Sequence, residues 1–312
     1  MALELTDLSQ IPANLQNGAV AVGNFDGVHI GHAALIAELV RLARQIGGPA
    51  VLVTFDPPPI AILRPDVPLI APLSSISKRA ELVGNLGVDA LIALPTDQEL
   101  LSLGPEEFFE KIILGKLKAK AMVEGPNFRF GKNRQGDTKA LAGLCADNGL
   151  ALAILEPKHD PPGEMVSSTR IRKLLSAGNV EQVNRFLTRP YAIEGRVGDG
   201  MKRGREIGFP TANLEECRNL LPLAGVYAGE VDIDGETYAA AINIGSNPTF
   251  GDEAQKFEVH VIGWTGDVYG RELEARLLKR IRDVIKFKSV DQLKEQLVRD
   301  IQECEAAFRQ SG

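Results

Sequence analysis

What this chain of 312 residues lacks narrows it first. It has three cysteines, Cys145, Cys217 and Cys304, and they lie far apart in sequence. That spacing makes neither a disulfide framework nor a metal motif, and it suits a reducing cytoplasm. No apolar run approaches the roughly 20 residues that span a bilayer, so no membrane partner is expected. The opening MALELTDLSQIP has neither the charged start nor the long apolar run of a secretion signal, and none is expected. Positive charge is short: 35 Lys and Arg stand against 41 Asp and Glu, a net charge of −6. A broad nucleic-acid surface needs the opposite excess, so no nucleic-acid partner is expected. Internal repeats and low-complexity tracts are absent. With 44% hydrophobic and 24% charged residues, the chain has the make-up of a folded globular protein. Its length favours two domains.

The first half alternates. NGAVAVGNF reads as a short buried strand. GHAALIAELVRLARQIGG then sets Leu35, Leu39, Leu42 and Ile46 at helical spacing, with Gly47 and Gly48 as the stop. PAVLVTFDPPP is a second strand closed by prolines. Helix-then-strand order repeats through SKRAELVGNLGVDALIALP, LGPEEFFEKIILGKLKAKAMVEG and TKALAGLCADNGLALAILEP. Such alternation predicts a Rossmann-like α/β domain, a parallel sheet with helices on both faces. The rhythm changes after about residue 190. LAGVYAGEVDIDGETYAAAINIGS holds two strands around Asp234-Gly235, a hairpin signal. KFEVHVIGWTGDVYGRELEARLLKRI adds two more. This half reads as an antiparallel β-barrel followed by a terminal helix, SVDQLKEQLVRDIQECEAAFR. Ser289 and Gln292 fit a capping box there, and Val290, Leu293, Leu297, Ile301 and Cys304 form its apolar stripe.

Two of the four histidines, His29 and His32, sit in GNFDGVHIGH, residues Gly23 to His32. Three readings are open: a metal site, a plain strand-to-helix turn, or a phosphate cradle. Zinc wants three or four ligands, and the nearest further candidates are Cys145 and His159. A phosphate explains more. A helix N-terminus offers unpaired N–H groups and partial positive charge, Gly31 leaves room for close approach, and two imidazoles add directed donors. Further on, Ser167, Ser168 and Thr169 of VSSTRIRKLL can cap a helix. Arg170 and Arg172 fall in its first turn, where cations oppose the dipole unless they reach an anion.

The second half has its own cluster, GRVGDGMKRGREIGFPTANL, Gly195 to Leu214. Five glycines with Lys202, Arg203 and Arg205 suggest a loop over phosphates. Thr211 and Asn213 present a hydroxyl and an amide oxygen two residues apart, on one side of an extended segment. Hard oxygens of that kind suit Mg²⁺.

GNFDGVHIGH resembles the His-x-Gly-His signature of nucleotidylyltransferases, in its bacterial FAD synthetase form. GPNFRFGKNRQGD (Gly125–Asp137) and VSSTRIRKLL (Val166–Leu175) resemble that family's flavin-side loop and second nucleotide motif. GFPTANL, GVYAG from Gly225, NIGSNPTF from Asn243 and FEVHVI from Phe257 resemble the riboflavin kinase domain that bacteria fuse behind it. The resemblance runs from about residue 18 to 305 and implies two domains, 1–186 for FMN adenylyltransferase and 187–312 for riboflavin kinase. It implies ATP-dependent phosphorylation of riboflavin to FMN, then adenylylation of FMN to FAD, with Mg²⁺ as cofactor and ATP as co-substrate. His29 and His32 would hold the ATP phosphates. Gly23, Asn24, Phe25 and Asp26 would shape the loop before Gly31, and Ser168, Thr169 and Arg172 would close on the triphosphate. Asn127 would sit on the flavin or metal side. In the second domain Glu258 would be the general base, Thr211 and Asn213 the metal ligands, with Gly200, Lys202 and Thr211 lining the ATP side. His260, on the same face, is read as incidental.

The resemblance is not uniform. Pro58 stands where the family often has histidine, Val284 where glutamate is common, and Thr188 where glycine is usual. Two alternatives therefore stand beside the bifunctional reading. In one the kinase alone is active; in the other the chain is a flavin-binding regulatory protein on the same scaffold. The sequence assigns no oligomeric state.

Overall fold

The computed structural model describes residues 2–5, 11–161, 163–198, 208–247 and 252–311. They fall in two compact units, Met1–Ile70 with Ser74–Ser167, and Ala71–Leu73 with Ser168–Gly312.

The first unit is a parallel sheet of six strands: β1 (Leu3–Leu5), β2 (Ala19–Val22), β3 (Ala50–Asp56), β4 (Ala90–Pro95), β5 (Ala121–Glu124) and β6 (Ala151–Ile154). Their spatial order is β1-β4-β3-β2-β5-β6. Successive side chains of a strand point to opposite faces, and both faces here are covered. On one, Ala19, Ala21, Leu52 and Leu91 meet α1 (Ile30–Ile46). A five-residue helix, α2 (Pro59–Leu63), with Pro58 at its N-cap, precedes α3 (Ile76–Asn85), which joins that first layer. On the other, Val20, Val22, Val51 and Ile92 meet Phe108, Phe109, Ile112 and Ile113. These come from α5 (Pro105–Phe108), which follows α4 (Gln98–Ser102), and from its continuation as a π-helical stretch Phe109–Lys116. Leu141 and Cys145 of α6 (Thr138–Asp147) complete that layer. Doubly covered strands need near-continuous apolar sequence, which AVAV and AVLVTF supply.

Two details depart from the sequence reading. β1 is an additional edge strand, too short and exposed to carry a pattern of its own. In α1 the fully buried stripe is Ile36, Leu39, Val40 and Ala43; Leu35 and Leu42 are only partly buried, and Ile46 is 38% exposed. The helix is rotated so that Ile36, Leu39, Val40 and Ala43 face the sheet.

The second unit is a closed antiparallel barrel of β7 (Tyr191–Gly198), β8 (Ala212–Glu215), β9 (Gly225–Ile233), β10 (Glu236–Asn247), β11 (Asp252–Val261) and β12 (Glu272–Arg282), in the order β10-β11-β8-β7-β12-β9. Asp234 and Gly235 both take positive φ, 53° and 90°, as the primed hairpin turn between β9 and β10 requires. α7 (Ser168–Ser176) and α8 (Val180–Leu187) group with the barrel. Thr188 follows α8 at φ 61°, a left-handed position that a β-branched residue seldom takes. Val284 lies beside Gly245, its Cγ2 3.2 Å from where a Cβ at that glycine would stand. α9 (Val290–Ser311) starts where Ser289 Oγ accepts from Gln292 N–H, while Gln292 Oε1 reaches back to the Lys288 N–H. Cys304 of its stripe is fully buried, but Val290 is 42% exposed because it lies in the unsupported first turn. The helix is fixed at its middle by buried Asp300, which accepts from Arg282 Nε and Nη2 at 3.0 and 2.6 Å.

Candidate active sites

In the first unit β2 ends at Val22 and the chain turns through GNFDGVH into α1. The turn is held in an uncommon backbone: Phe25, Gly27 and Val28 have φ of 47°, 81° and 45°. Val28 is β-branched, so its left-handed conformation is a genuine outlier that surrounding structure must enforce. The enforcement is a buried polar frame. Asp26 accepts from Arg79 Nη2 at 3.1 Å and from Ser74 N–H at 3.1 Å. Ser74 Oγ accepts from Gly27 N–H at 3.1 Å. Thr54 Oγ1 donates to the Asn24 carbonyl at 3.2 Å and lies 3.3 Å from Arg79 Nη1. Both partners of the Asp26–Arg79 pair are about 7% exposed. Breaking a buried pair leaves a charge uncompensated, so Arg79→Ala is expected to cost about 3–5 kcal/mol of the first unit's stability. Cutting the exposed Arg41–Glu38 pair should leave the midpoint nearly unchanged, because solvent screens it. Urea denaturation midpoints check both.

His29 is the N-cap of α1. Its Nδ1 accepts from Gly31 N–H at 3.2 Å and His32 N–H at 3.3 Å. The proton of the neutral ring therefore sits on Nε2. Two of the amides expected to be open to a phosphate are thus already capped, which shifts anion contact onto the imidazoles. Gly31 has a matching reason to be glycine: a Cβ there would lie 3.1 Å from the His29 ring. The rings of His29 and His32 stack at 3.7 Å with a 16° tilt, and Phe25, 2% exposed, meets His32 edge-on at 5.3 Å. Burial lowers the His29 pKa to about 4. His32 is pushed well below its ordinary value by burial first, then by the charges of His29 and Arg79. Both are neutral donors at pH 7. His32 Nδ1 is buried and has no partner among the described residues.

Asn127 is exposed on the turn after β5, beside Phe128 and Phe130, whose rings stack at 5.3 Å. Ser168, Thr169 and Arg172 lie on the first turns of α7, in the second unit.

In the second unit three neighbouring strands bring three polar residues into one row. Asn213 on β8 is opposite Glu258 on β11, and Glu258 is opposite Asn243 on β10. Ala212, Leu214, Phe257, Val259, Ile242 and Ile244 alternate with them and are buried in the core, so the polar row stands on the outer face. Asn243 Nδ2 donates to Glu258 Oε2 at 3.4 Å, orienting the carboxylate. Thr211 lies two residues before Asn213, at the rim of a cavity of about 270 Å³ that Pro210, Val259, Val261, Trp264 and Val268 also line. His260 is more than incidental. Its Nδ1 lies 2.7 Å from the Pro210 carbonyl, which can only accept, so Nδ1–H pins the segment that carries Thr211. Its ring also meets Phe209 edge-on at 5.9 Å. Gly200 and Lys202 fall outside the described residues. A second cavity, about 310 Å³, opens beside Arg196, Gly198, Glu215 and Tyr269.

Sequence reasoning missed Thr54, Ser74 and Arg79, which frame the first loop, and gave no role to Asn243. The frame has no local signal, because Asp26 and Arg79 are 53 residues apart. Asn243 is visible in strand register alone.

Among the described residues no helix is long and apolar enough to cross a membrane. A family described as FAD synthetase matches residues 11–170, and one described as riboflavin kinase matches residues 187–308. The bifunctional riboflavin kinase/FMN adenylyltransferase of Pseudomonas fluorescens is 36% identical over 287 residues, 91% of each chain. That of Escherichia coli K12 is 35% identical over 296 residues, 94% of this chain and 93% of its own. Among solved structures, a Streptococcus pneumoniae protein described as a macrolide-efflux protein is similar at TM-score 0.86 and 32% identity. That match covers 97% of this chain and 98% of the other.

Proposed function

Because the chain belongs to the bifunctional riboflavin kinase/FMN adenylyltransferase family, we propose that its two polar clusters are the two catalytic centres of that activity. The enzyme phosphorylates riboflavin with ATP to give FMN, then transfers AMP from ATP to FMN, giving FAD and pyrophosphate. Its substrates and products are riboflavin, FMN, FAD and ATP. Neither a kinase with a dead partner domain nor a flavin-binding regulator is favoured, since both families match and the curated relatives are bifunctional.

The observation that carries the kinase assignment is the row Asn213, Glu258, Asn243 across β8, β11 and β10. Glu258 acts as general base, taking the proton of the ribityl hydroxyl as its oxygen attacks the γ-phosphate. Asn243 keeps the carboxylate aimed. Thr211 and Asn213 are proposed as ligands of Mg²⁺, whose preference for hard oxygens, retained waters and phosphate oxygens fits this donor pair. When bound, the ion supplies charge neutralisation at the transferred phosphate. The largely apolar cavity beside Thr211 suits the adenine ring, with Trp264 on its wall. Gly200 and Lys202 are assigned to the ATP phosphates by the resemblance of their segment.

For adenylyl transfer, the neutral Nε2–H of His29 and the imidazole of His32 stabilise charge that builds on the phosphate oxygens as FMN attacks the α-phosphorus. Gly23, Asn24, Phe25, Asp26 and Gly31 shape this loop. Ser168, Thr169 and Arg172 are assigned to the triphosphate, and Asn127 to the flavin side. The division at 186/187 is supported by a FAD synthetase match that ends at 170 and a riboflavin kinase match that begins at 187. The cytoplasm is the proposed location, supported by three free thiols.

Incubation with riboflavin, ATP and Mg²⁺, followed by chromatography of the flavins, tests the reading. FAD is expected to accumulate through FMN. FMN alone would show the first centre to be inactive, and no turnover would overturn both assignments.

A further inference from the structure

Glu124, the last residue of β5, is 2% exposed. It sits where the sheet changes direction. β2 continues to β3 and β4 on one side, and β5 continues to β6 on the other, so the β2–β5 boundary is the topological switch point. Ligands of open α/β sheets bind outside the strand ends at such a boundary. The paired register of β2 with β5 covers Ala19–Ala121 and Val20–Met122, whereas β5 stays paired to β6 through Glu124–Ile154. Past Val20 the two central strands part. In the opening Glu124 Oε1 accepts from the Val22 N–H at 2.7 Å, in place of a strand carbonyl. Its other oxygen takes no hydrogen bond from the described residues.

Val22 immediately precedes the loop with Asn24, His29 and His32. Glu124 immediately precedes the loop with Asn127. We propose that Glu124 is a positioning residue for adenylyl transfer: its side chain bridges the β2–β5 opening and fixes the roots of both substrate loops. This rests on the assignment of those loops to the FMN adenylyltransferase centre.

The bridge works as a neutral carboxylic acid. Burial raises the Glu124 pKa well above the usual carboxylate range, and only the Val22 N–H opposes it. The neighbouring strands AVAV and ALAI, and the rest of β5, AMV, carry no charge. Among the described residues the one titratable side chain coupled to Glu124 is Cys145 on α6, whose thiol is pushed up to about 11 by burial first and the Glu124 charge second. It stays neutral below that. Ionised Glu124 would therefore have to be hydrated, which opens the crevice.

The test uses the full-length protein with both reactions measured on each variant. Glu124→Ala is expected to lower the turnover of FMN to FAD by about 10-fold or more, with riboflavin phosphorylation unchanged. Glu124→Gln keeps the acceptor and the shape without the titration, and is expected to restore turnover to within a few-fold of wild type. Wild type should lose adenylyl transfer on the alkaline side with an inflection that Glu124→Gln lacks. The sign for stability is the same: the native state holds a proton that the unfolded state releases. The melting temperature of Glu124→Gln should thus gain on wild type as pH rises above the usual carboxylate range. Should Glu124→Ala fail to fold, the Glu124→Gln comparison decides alone. Wild-type turnover in Glu124→Ala, or a Gln variant without restored turnover or with an unchanged alkaline limb, overturns the proposal. Failure of wild type itself to convert FMN to FAD would instead refute the assignment of the centre.

Discussion

Glu258→Ala is expected to lower riboflavin phosphorylation by about 10³-fold, within the range general bases contribute, while supplied FMN is still converted to FAD at the wild-type rate. The selectivity follows from the register. Glu258 stands on the outer face of the barrel between Asn213 and Asn243, and its neighbours along β11, Phe257 and Val259, fill the core. Truncating it removes a carboxylate and no packing, so the barrel should keep its melting temperature. Surface substitutions of that kind are usually within about 0.5 kcal/mol. Glu258→Gln separates the base from the contact to Asn243. It keeps the shape, yet its amide cannot take the hydroxyl proton, so it should be nearly as slow as Glu258→Ala. The appearance of FMN from riboflavin, and of FAD from added FMN, reads both arms on one sample. Phosphorylation near the wild-type rate in either variant would mean that the hydroxyl is deprotonated elsewhere.

Much of this arrangement was legible in the residues. Strands buried on both faces must be apolar throughout, so AVAV and AVLVTF declare themselves; LEL, three residues on an exposed edge, does not. The hairpin at Asp234-Gly235 is a local signal and was readable. The histidine motif was equally local, but its meaning changed in detail. The loop's cost in backbone conformation, at Phe25 and Val28, leaves no trace in composition. The groups that maintain it come from distant elements: Ser74 and Arg79 from the far side of β3, and Glu124 from a strand 102 residues away from its partner Val22. Long-range polar partners of this kind follow from topology, and topology is what a single sequence states least directly. His260 shows the reverse. In the sequence it reads as incidental beside the base, whereas its ring nitrogen holds the Pro210 carbonyl.

Joint replacement of His29 and His32 by Ala is expected to reduce FAD formation from FMN by at least about 10²-fold, the loss typical of one removed transition-state donor. Riboflavin phosphorylation should persist. His29 has two tasks, however, and the double variant removes both. Its Nδ1 caps α1 through Gly31 and His32, and losing a cap costs about 1 kcal/mol. His29→Asn divides the tasks, since asparagine is a strong N-cap but cannot extend a donor as far as imidazole Nε2. It should melt near wild type and still lose adenylyl transfer. The pH dependence carries an independent sign. A histidine whose folded pKa lies below the unfolded value binds fewer protons when native. Its contribution is fully present above about pH 6.5 and is lost as pH falls through the folded value. For His29, with a pKa of about 4, that loss amounts to about 3 kcal/mol; His32 adds to it in the same direction. The first unit should therefore weaken between about pH 6.5 and about pH 4, and the double variant should weaken less over that window. Urea midpoints across it give the answer. An equal acid-side slope in both proteins would mean that the imidazoles are solvated and charged, and the case for neutral donors at the phosphate would fall with it.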